Sequence, residues 1–245
     1  MDMKTITTSP SRNRPDGGGV SVIVPVFNEA ARLHKALLLA EKLSGVKEVI
    51  VVDGGSTDET AALARAQRVV VVQSDKGRAK QMNAGAALAT SEVLLFLHAD
   101  TELPADAMTW VSRTLADPKV VAGAFRTWTC ADEGRIPFWS SLLHLADVRS
   151  RYSRLPYGDQ AIFVRASTFK ALGGFADIPL MEDLEFSQRL WTQGHVVTVP
   201  ASVRVSGRRF VERPIAYTLA VNVFPLLFRL GVSPHTLNAL YGHVR

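Results

Sequence analysis

Val51-Val52-Asp53-Gly54-Gly55-Ser56-Thr57-Asp58-Glu59-Thr60 passes from an apolar run through a glycine-bearing turn into a helical pattern. The run Glu48–Val52 is nearly all apolar, as a strand covered on both faces should be. Gly54 and Gly55 let a backbone approach a ligand closely. Ser56 and Glu59 stand at capping-box spacing, which predicts a helix over Thr57–Ala66 and accounts for Ser56, Asp58 and Glu59 structurally. Asp53 is left without such an account. Its carboxylate can accept a hydrogen bond from a nucleobase N–H.

The same rhythm extends in both directions. Val20–Val26, Val69–Gln73 and Val93–Leu97 read as further strands, and Ala30–Leu43 and Ala79–Ala89 as further helices. Alternation of this kind predicts an α/β fold: a mostly parallel central sheet flanked by helices, with right-handed crossovers. Ligands in such sheets collect at the carboxyl ends of the strands. Asn28, Glu29, Asp53 and His98 to Asp100 all follow strands directly, which places them on one rim.

Past Asp100 the rhythm loosens. Pro104 suits the start of a helix, Val120–Thr127 reads as a strand and Phe138–Tyr152 as an amphipathic helix. Gln160–Val164 follows as a short strand, Glu182–Trp191 as a helix, and His195–Val199 and Ser202–Val205 as edge strands. The expected layout is a disordered polar tail over residues 1–19, one domain over 20–205 and a helical extension over 206–245. Within the extension, Ile215–Val232 is apolar but holds Asn222, Pro225 and Arg229, which argue against a bilayer span. Two readings stay open. Arg208, Arg209 and Arg213 precede this stretch, as they would for an in-plane helix on an anionic membrane; alternatively it packs on the domain or on a homodimer partner.

Hydrophobic residues make up 47% and charged residues 21%, which excludes general disorder. The net charge of +5 favours acidic partners, a phosphorylated substrate or an anionic membrane among them. With no zinc-finger spacing and no aromatic RNA-binding signature, nucleic acid is not an expected partner. The lone Cys130 makes no intramolecular disulfide, compatible with a reducing compartment. Residues 1–19 carry no apolar signal core, so the expected location is cytoplasmic, with peripheral contact at the inner face of the cell membrane if the in-plane reading holds. No Gly-x-Gly-x-x-Gly turn follows Val22–Val26, which counts against a dinucleotide enzyme. Glu182 and Asp183 open a helix, where acids suit the dipole. Together with Asp53 and Asp100 they describe a site handling a metal, a phosphorylated donor and a proton.

Taken in order, several segments resemble family-two glycosyltransferases, enzymes of GT-A fold that use nucleotide-activated sugars. They are Pro25-Val26-Phe27-Asn28-Glu29 with Val52 to Asp58, Lys76 to Gly85, Phe96 to Asp100, Gly173-Gly174-Phe175, and Glu182-Asp183. The resemblance runs from about Val20 to Val199. It implies that Phe27, Glu29 and Asp53 line the base and ribose pocket, with Asp53 on the base. Arg78 would face the nucleotide or its diphosphate, a task suited to a guanidinium. His98-Ala99-Asp100 stands in the place of the family's Asp-x-Asp motif, so Asp100 would hold Mn²⁺ or Mg²⁺, while His98 contacts ribose, tunes the site or fills space. Glu182 and Asp183 match the catalytic acidic pair, with Asp183 as general base.

Tyr157-Gly158-Asp159-Gln160 resembles an acceptor-side turn, so Gly158 and Asp159 would face acceptor or sugar. Ser206 to Phe210 and Leu230 to Pro234 resemble a subgroup of small enzymes associated by genomic context with arsenosugar biosynthesis. Gln188-Arg189-Leu190-Trp191 departs from the processive signature Gln-x-x-Arg-Trp. The resemblance thus implies an inverting, non-processive transfer from a nucleotide-diphosphate sugar, UDP-linked, to a hydroxyl on a small-molecule or lipid acceptor. Two alternatives stand beside it: a non-catalytic nucleotide-sugar-binding protein, motivated by His98, and a membrane-associated lipid glycosyltransferase, motivated by Ile215–Val232.

Overall fold

Residues 19–130, 144–153, 155–208 and 214–242 are described by a computed structural model. Residues 1–18 of the expected polar tail, and the start of the expected Phe138–Tyr152 helix, lie outside them. Strands β1 (Val20–Val26), β2 (Val46–Asp53), β3 (Val70–Gln73) and β4 (Val93–Phe96) run parallel, in the order β3-β2-β1-β4. Helices α1 (Ala30–Lys42), α2 (Thr60–Arg65) and α3 (Arg78–Leu88) cross between them. The apolar runs of β1 and β2 are buried almost throughout because helices cover both faces.

The second half completes the sheet. It comprises β5 (Thr101–Glu102), α4 (Ala107–Leu115), β6 (Val120–Cys130), α5 (His144–Tyr152), β7 (Phe163–Arg165), α6 (Ala166–Ala171), α7 (Glu182–Leu190) and β8 (His195–Ser206). The full order is β3-β2-β1-β4-β7-β6-β8-β5, with β7 antiparallel to both β4 and β6. Two helices close the described chain, α8 (Pro214–Arg229) and α9 (Pro234–Gly242).

Three expectations need correction. Helix α2 starts at Thr60, not Thr57, and the Ser56–Glu59 capping box does not form. Asp58 takes the bonds instead, accepting from the Thr60 N–H at 3.0 Å and the Thr60 hydroxyl at 2.5 Å. Gln160 is no strand residue but ends a 3-10 turn over Gly158–Gln160; its side chain accepts the Tyr157 N–H and donates to the Phe125 carbonyl, which ties the turn to β6. His195–Val199 and Ser202–Val205 are one strand, and it lies between β6 and β5 rather than at an edge. Pro200 falls where its pairing with β6 jumps from Ala124–Thr198 to Arg126–Ser202, as a residue without an N–H should.

An aromatic cluster sets α7 in place. Phe96, Phe169, Phe175 and Phe186 meet at centroid distances from 4.5 to 5.5 Å, several of them edge to face. Asn83 grips the backbone of Phe175 at both its N–H and its carbonyl. Gly174 makes that grip possible, since its φ is +76° and a Cβ there would lie 2.5 Å from Asn83 Oδ1. From α7, Arg189 reaches back to the Leu172 and Gly174 carbonyls and pairs with Glu185. The start of α7 is thereby held against the rim of the sheet. The inner faces of α8 and α9 pack around Ala220, Phe224 and Leu237 onto Leu180 and Met181. Among the described residues no helix is long and apolar enough to cross a membrane.

Candidate active site

The first part of the rim is built by interlocked loops. The Asn28 N–H donates to Ser56 Oγ, Asn28 Oδ1 accepts the Thr57 N–H, and the Glu29 N–H donates to Thr60 Oγ1, each within 2.9 Å. Beneath them the buried Gln81 amide donates to the Val26 and Val52 carbonyls, fixing α3 under the ends of β1 and β2. Lys76 Nζ sits 4.0 Å from the Phe27 ring centroid. Glu29 Oε1 lies 3.6 Å from an Arg208 guanidinium nitrogen, while Glu29 Oε2 is buried without a hydrogen-bond partner.

Asp53 does have a structural role, contrary to expectation. Its carboxylate accepts from the Ser56 N–H at 3.1 Å and the Ser56 hydroxyl at 2.5 Å, closing the glycine turn. Asp53 and β4 are separated by the width of β1, so Asp53 stands about 10 Å along the rim from the His98–Asp100 loop.

The second part of the rim opens into a solvent-open cleft lined by Arg78, His98, Asp100, Asp159, Glu182 and Asp183. Phe27, Glu29 and Asp53 are not in its lining, so of the three aspartates expected to share one cleft it gathers only Asp100 and Asp183. Asp183 is held from two sides: Oδ2 accepts the Gly158 N–H at 2.6 Å and Oδ1 the Leu184 N–H at 2.7 Å. A carboxylate has about four lone-pair sites, so both oxygens keep capacity for a hydroxyl. Met181, the residue before the pair, holds a left-handed φ of 67°. That conformation costs a residue with a Cβ about 1–2 kcal/mol, and packing against Phe224 and Leu237 offsets it.

Glu182 is only 2% exposed. Its Oε1 makes no hydrogen bond and stands 3.6 Å from Arg78. Burial pushes its carboxyl up to about 7; Arg78 opposes the shift and Asp183 adds to it. Burial likewise pushes the Asp159 carboxyl above its ordinary value, opposed by Arg149 and reinforced by Asp183 and Asp100. Asp159 Oδ1 is buried without a hydrogen-bond partner, while Oδ2 lies 4.0 Å from Arg149. Four carboxylates and two guanidinium groups therefore face one space, an arrangement suited to a polyhydroxylated ligand with a charged end.

Sequence reasoning missed Arg149 and the helical wall. Arg149 stacks over Tyr157 at 3.9 Å and donates to the Val221 carbonyl of α8. Tyr217, Phe224 and Pro225 of α8 and Tyr241 of α9 complete the lining. The expected boundary between 205 and 206 thus runs through the cleft, since Val205 and Ser206 both line it. Nothing in the sequence separates Arg149 from its neighbour Arg151; only the packing of α5 does.

A divalent cation was expected at Asp100. Among the described residues no three His, Cys, Asp or Glu groups cluster as a metal cage. Magnesium-type sites on phosphorylated substrates commonly use one or two carboxylates and complete the shell with phosphate and water. Asp100 lines the cleft, and the Thr101 hydroxyl reaches its Oδ1 only at 3.5 Å. A half-open hard-oxygen donor of this kind fits the ion.

Gly158 packs tightly against two side chains of the site. A Cβ there would stand 3.0 Å from the His98 ring and 3.1 Å from Asp183 Oδ2. Gly158→Ala is expected to lower kcat by about tenfold or more through displacement of the Asp183 carboxylate, with a melting temperature within a few degrees of the native protein. Steady-state kinetics beside a thermal melt checks this, and an unchanged kcat would detach Gly158 from the site.

Comparison with known proteins agrees with this geometry. Residues 21–172 match Glycosyl transferase family 2. The PGL/p-HBAD biosynthesis glycosyltransferase of Mycobacterium tuberculosis is 30% identical over 198 residues, covering 73% of this chain and 72% of that one. The 4,4'-diaponeurosporenoate glycosyltransferase of Staphylococcus haemolyticus is 37% identical over 92 residues, 34% of this chain and 24% of that one. Among solved structures, the mannosyltransferase PcManGT from Pyrobaculum calidifontis superposes with a TM-score of 0.65 at 21% identity, covering 96% of this chain and 73% of that one. Glucosyl-3-phosphoglycerate synthase from Mycobacterium tuberculosis gives 0.61 at 20% identity, covering 91% and 86%. With the fold, the acidic cleft and the family match in agreement, this chain belongs to glycosyl transferase family 2 and is a glycosyltransferase of GT-A fold.

Proposed function

We propose that the protein transfers one sugar, with inversion, from a UDP-linked donor to an acceptor hydroxyl, with Asp183 as general base. The observation that carries this reading is the Asp183 carboxylate, fixed by the Gly158 and Leu184 N–H groups in the cleft that also holds Asp100 and Arg78. The acceptor oxygen forms its bond to the anomeric carbon as the bond to the nucleoside diphosphate breaks, and its proton passes to Asp183. Two N–H donors hold the base at one angle, so the acceptor meets an oriented lone pair rather than a rotating one.

Arg78, 3.6 Å from Glu182, takes the donor diphosphate through its guanidinium. Phe27, Glu29 and Asp53 receive the base and ribose along the rim; Asp53, already bonded to Ser56, is preset in one orientation. His98 and Asp159 contact sugar hydroxyls. A divalent cation held by Asp100, Mn²⁺ or Mg²⁺, neutralises charge on the departing diphosphate when bound. Two solved relatives of the fold support the donor class: PcManGT was crystallised with GDP-Man and Mn²⁺, and the phosphoglycerate enzyme with Mn²⁺, UDP and phosphoglyceric acid.

A panel of nucleotide sugars with Mn²⁺, read by released nucleoside diphosphate, tests the reading, and the product's anomeric configuration is then assigned by NMR coupling. Release from a UDP-sugar with an inverted product is expected. A retained configuration would remove Asp183 as a base for direct displacement. Binding without release from any donor would leave only a nucleotide-sugar-binding protein.

A further inference from the structure

Helix α8 has two apolar faces, and among the described residues only one is used by the fold. Its inner face lines the cleft through Tyr217, Ala220 and Phe224. On the outer side Ile215, Leu219, Val223 and Leu226 are 70%, 57%, 39% and 56% exposed, and Leu230, just past the last turn, is 73% exposed. At 3.6 residues per turn these five fall within an arc of about 80°. Exposed Asn222 and Arg229 border that arc on one edge. This is the distribution of a helix half sunk in an interface, with polar groups at the waterline.

Charge selects the kind of surface. Across the described closing helices, residues 214–242, there is no Asp or Glu, while Arg229 is cationic. A second copy of the chain is the weaker occupant on area. Sixteen residues of helix span about 24 Å, and a stripe this narrow buries on the order of 400 Å², against about 800 Å² per partner in a stable complex.

We propose that α8 seats the protein in the plane of an anionic lipid surface, with Ile215, Leu219, Val223, Leu226 and Leu230 among the acyl chains and Arg229 at the phosphates. The cleft and the lipid then lie on opposite sides of one helix, about 10 Å apart. An acceptor hydroxyl carried on a lipid headgroup reaches the cleft over that distance. The seating stands without the transfer chemistry; only the reach to a lipid-borne acceptor rests on that reading.

Co-sedimentation of the full chain with vesicles, without donor, tests it. Vesicles of phosphatidylglycerol and phosphatidylcholine should bind the native protein and Asp183→Asn equally, and vesicles of phosphatidylcholine alone more weakly. Leu219→Glu with Leu226→Glu should weaken binding about tenfold or more, with an unchanged melting curve because both sites are exposed. If that pair lowers the melting temperature, Ile215→Glu with Leu230→Glu, at the two ends of the stripe, should give the same loss. No binding to the anionic vesicles, or binding undiminished by the substitutions, would overturn the proposal. So would a dimer that the same substitutions disperse while vesicles are ignored, which would assign the face to a second copy. Absent sugar transfer leaves the vesicle result standing, and absent vesicle binding leaves transfer to a soluble acceptor standing, so the two failures are told apart.

Discussion

Asp183→Asn is expected to lower sugar transfer by about two to four orders of magnitude while nucleotide binding changes little. The carboxylate accepts one backbone N–H on each oxygen, from Gly158 and from Leu184. An amide offers one acceptor and one donor, so its NH₂ must confront one of those two N–H groups. The lost hydrogen bond costs about 1–3 kcal/mol, a modest part of the stability of a domain this size. What disappears is the basic lone pair itself. Single-turnover kinetics with UDP calorimetry and a thermal melt separates these effects. A variant that still turns over near the native rate would remove the proton-accepting role from Asp183.

Glu182→Gln should change how stability depends on pH, with little change below about pH 4.5. The folded carboxyl titrates near 7, against an ordinary value of 4.5, because burial disfavours its charge more than Arg78 restores it. The folded protein therefore holds this proton more tightly than the unfolded chain. As pH rises from 4.5 to about 7 the native protein loses stability through this group, and above that the loss is complete, at roughly 3 kcal/mol. A glutamine does not titrate. The stability of the variant relative to the native protein should thus climb by roughly that amount between pH 4.5 and about 8, on top of a constant offset from the altered Arg78 contact. Urea midpoints of both proteins at the two ends of the range measure the difference. A difference that stays flat with pH would show that Glu182 is charged, and so solvated, in the folded state.

Much of the architecture was legible because its signals are local. The runs of β1, β2 and β4 are mostly apolar, as burial on both faces requires. The order of acidic residues along the rim followed from their positions after strands. The failures share a different cause, competition settled by contacts distant in sequence. Helix α2 lost its expected first turn because Asp58 bonds to Thr60 and also accepts the Ala30 N–H across the loops. Helix α6 went unread because six residues carry too little periodicity. Strand β8 read as two pieces because Pro200 interrupts the pattern, although pairing with β6 resumes beyond it. The Arg78–Glu182 and Arg149–Asp159 pairs join residues from separate elements, and no spacing rule connects them.

The end of β8 is stitched to the segment after β4 and to the end of β6: the Ser206 N–H donates to the Asp100 carbonyl, the Gly207 N–H to the Cys130 carbonyl, and Thr101 pairs with Val205. Anyone grafting the closing helices of a relative onto this protein, to exchange its acceptor preference, should therefore make the splice ahead of His195. A chimera joined after Ser206 would bring in foreign helices on a native strand whose last residues are bonded to Asp100 and Thr101. Hybrids cut on the two sides of β8 should accordingly differ in donor affinity, even when their imported tails are identical.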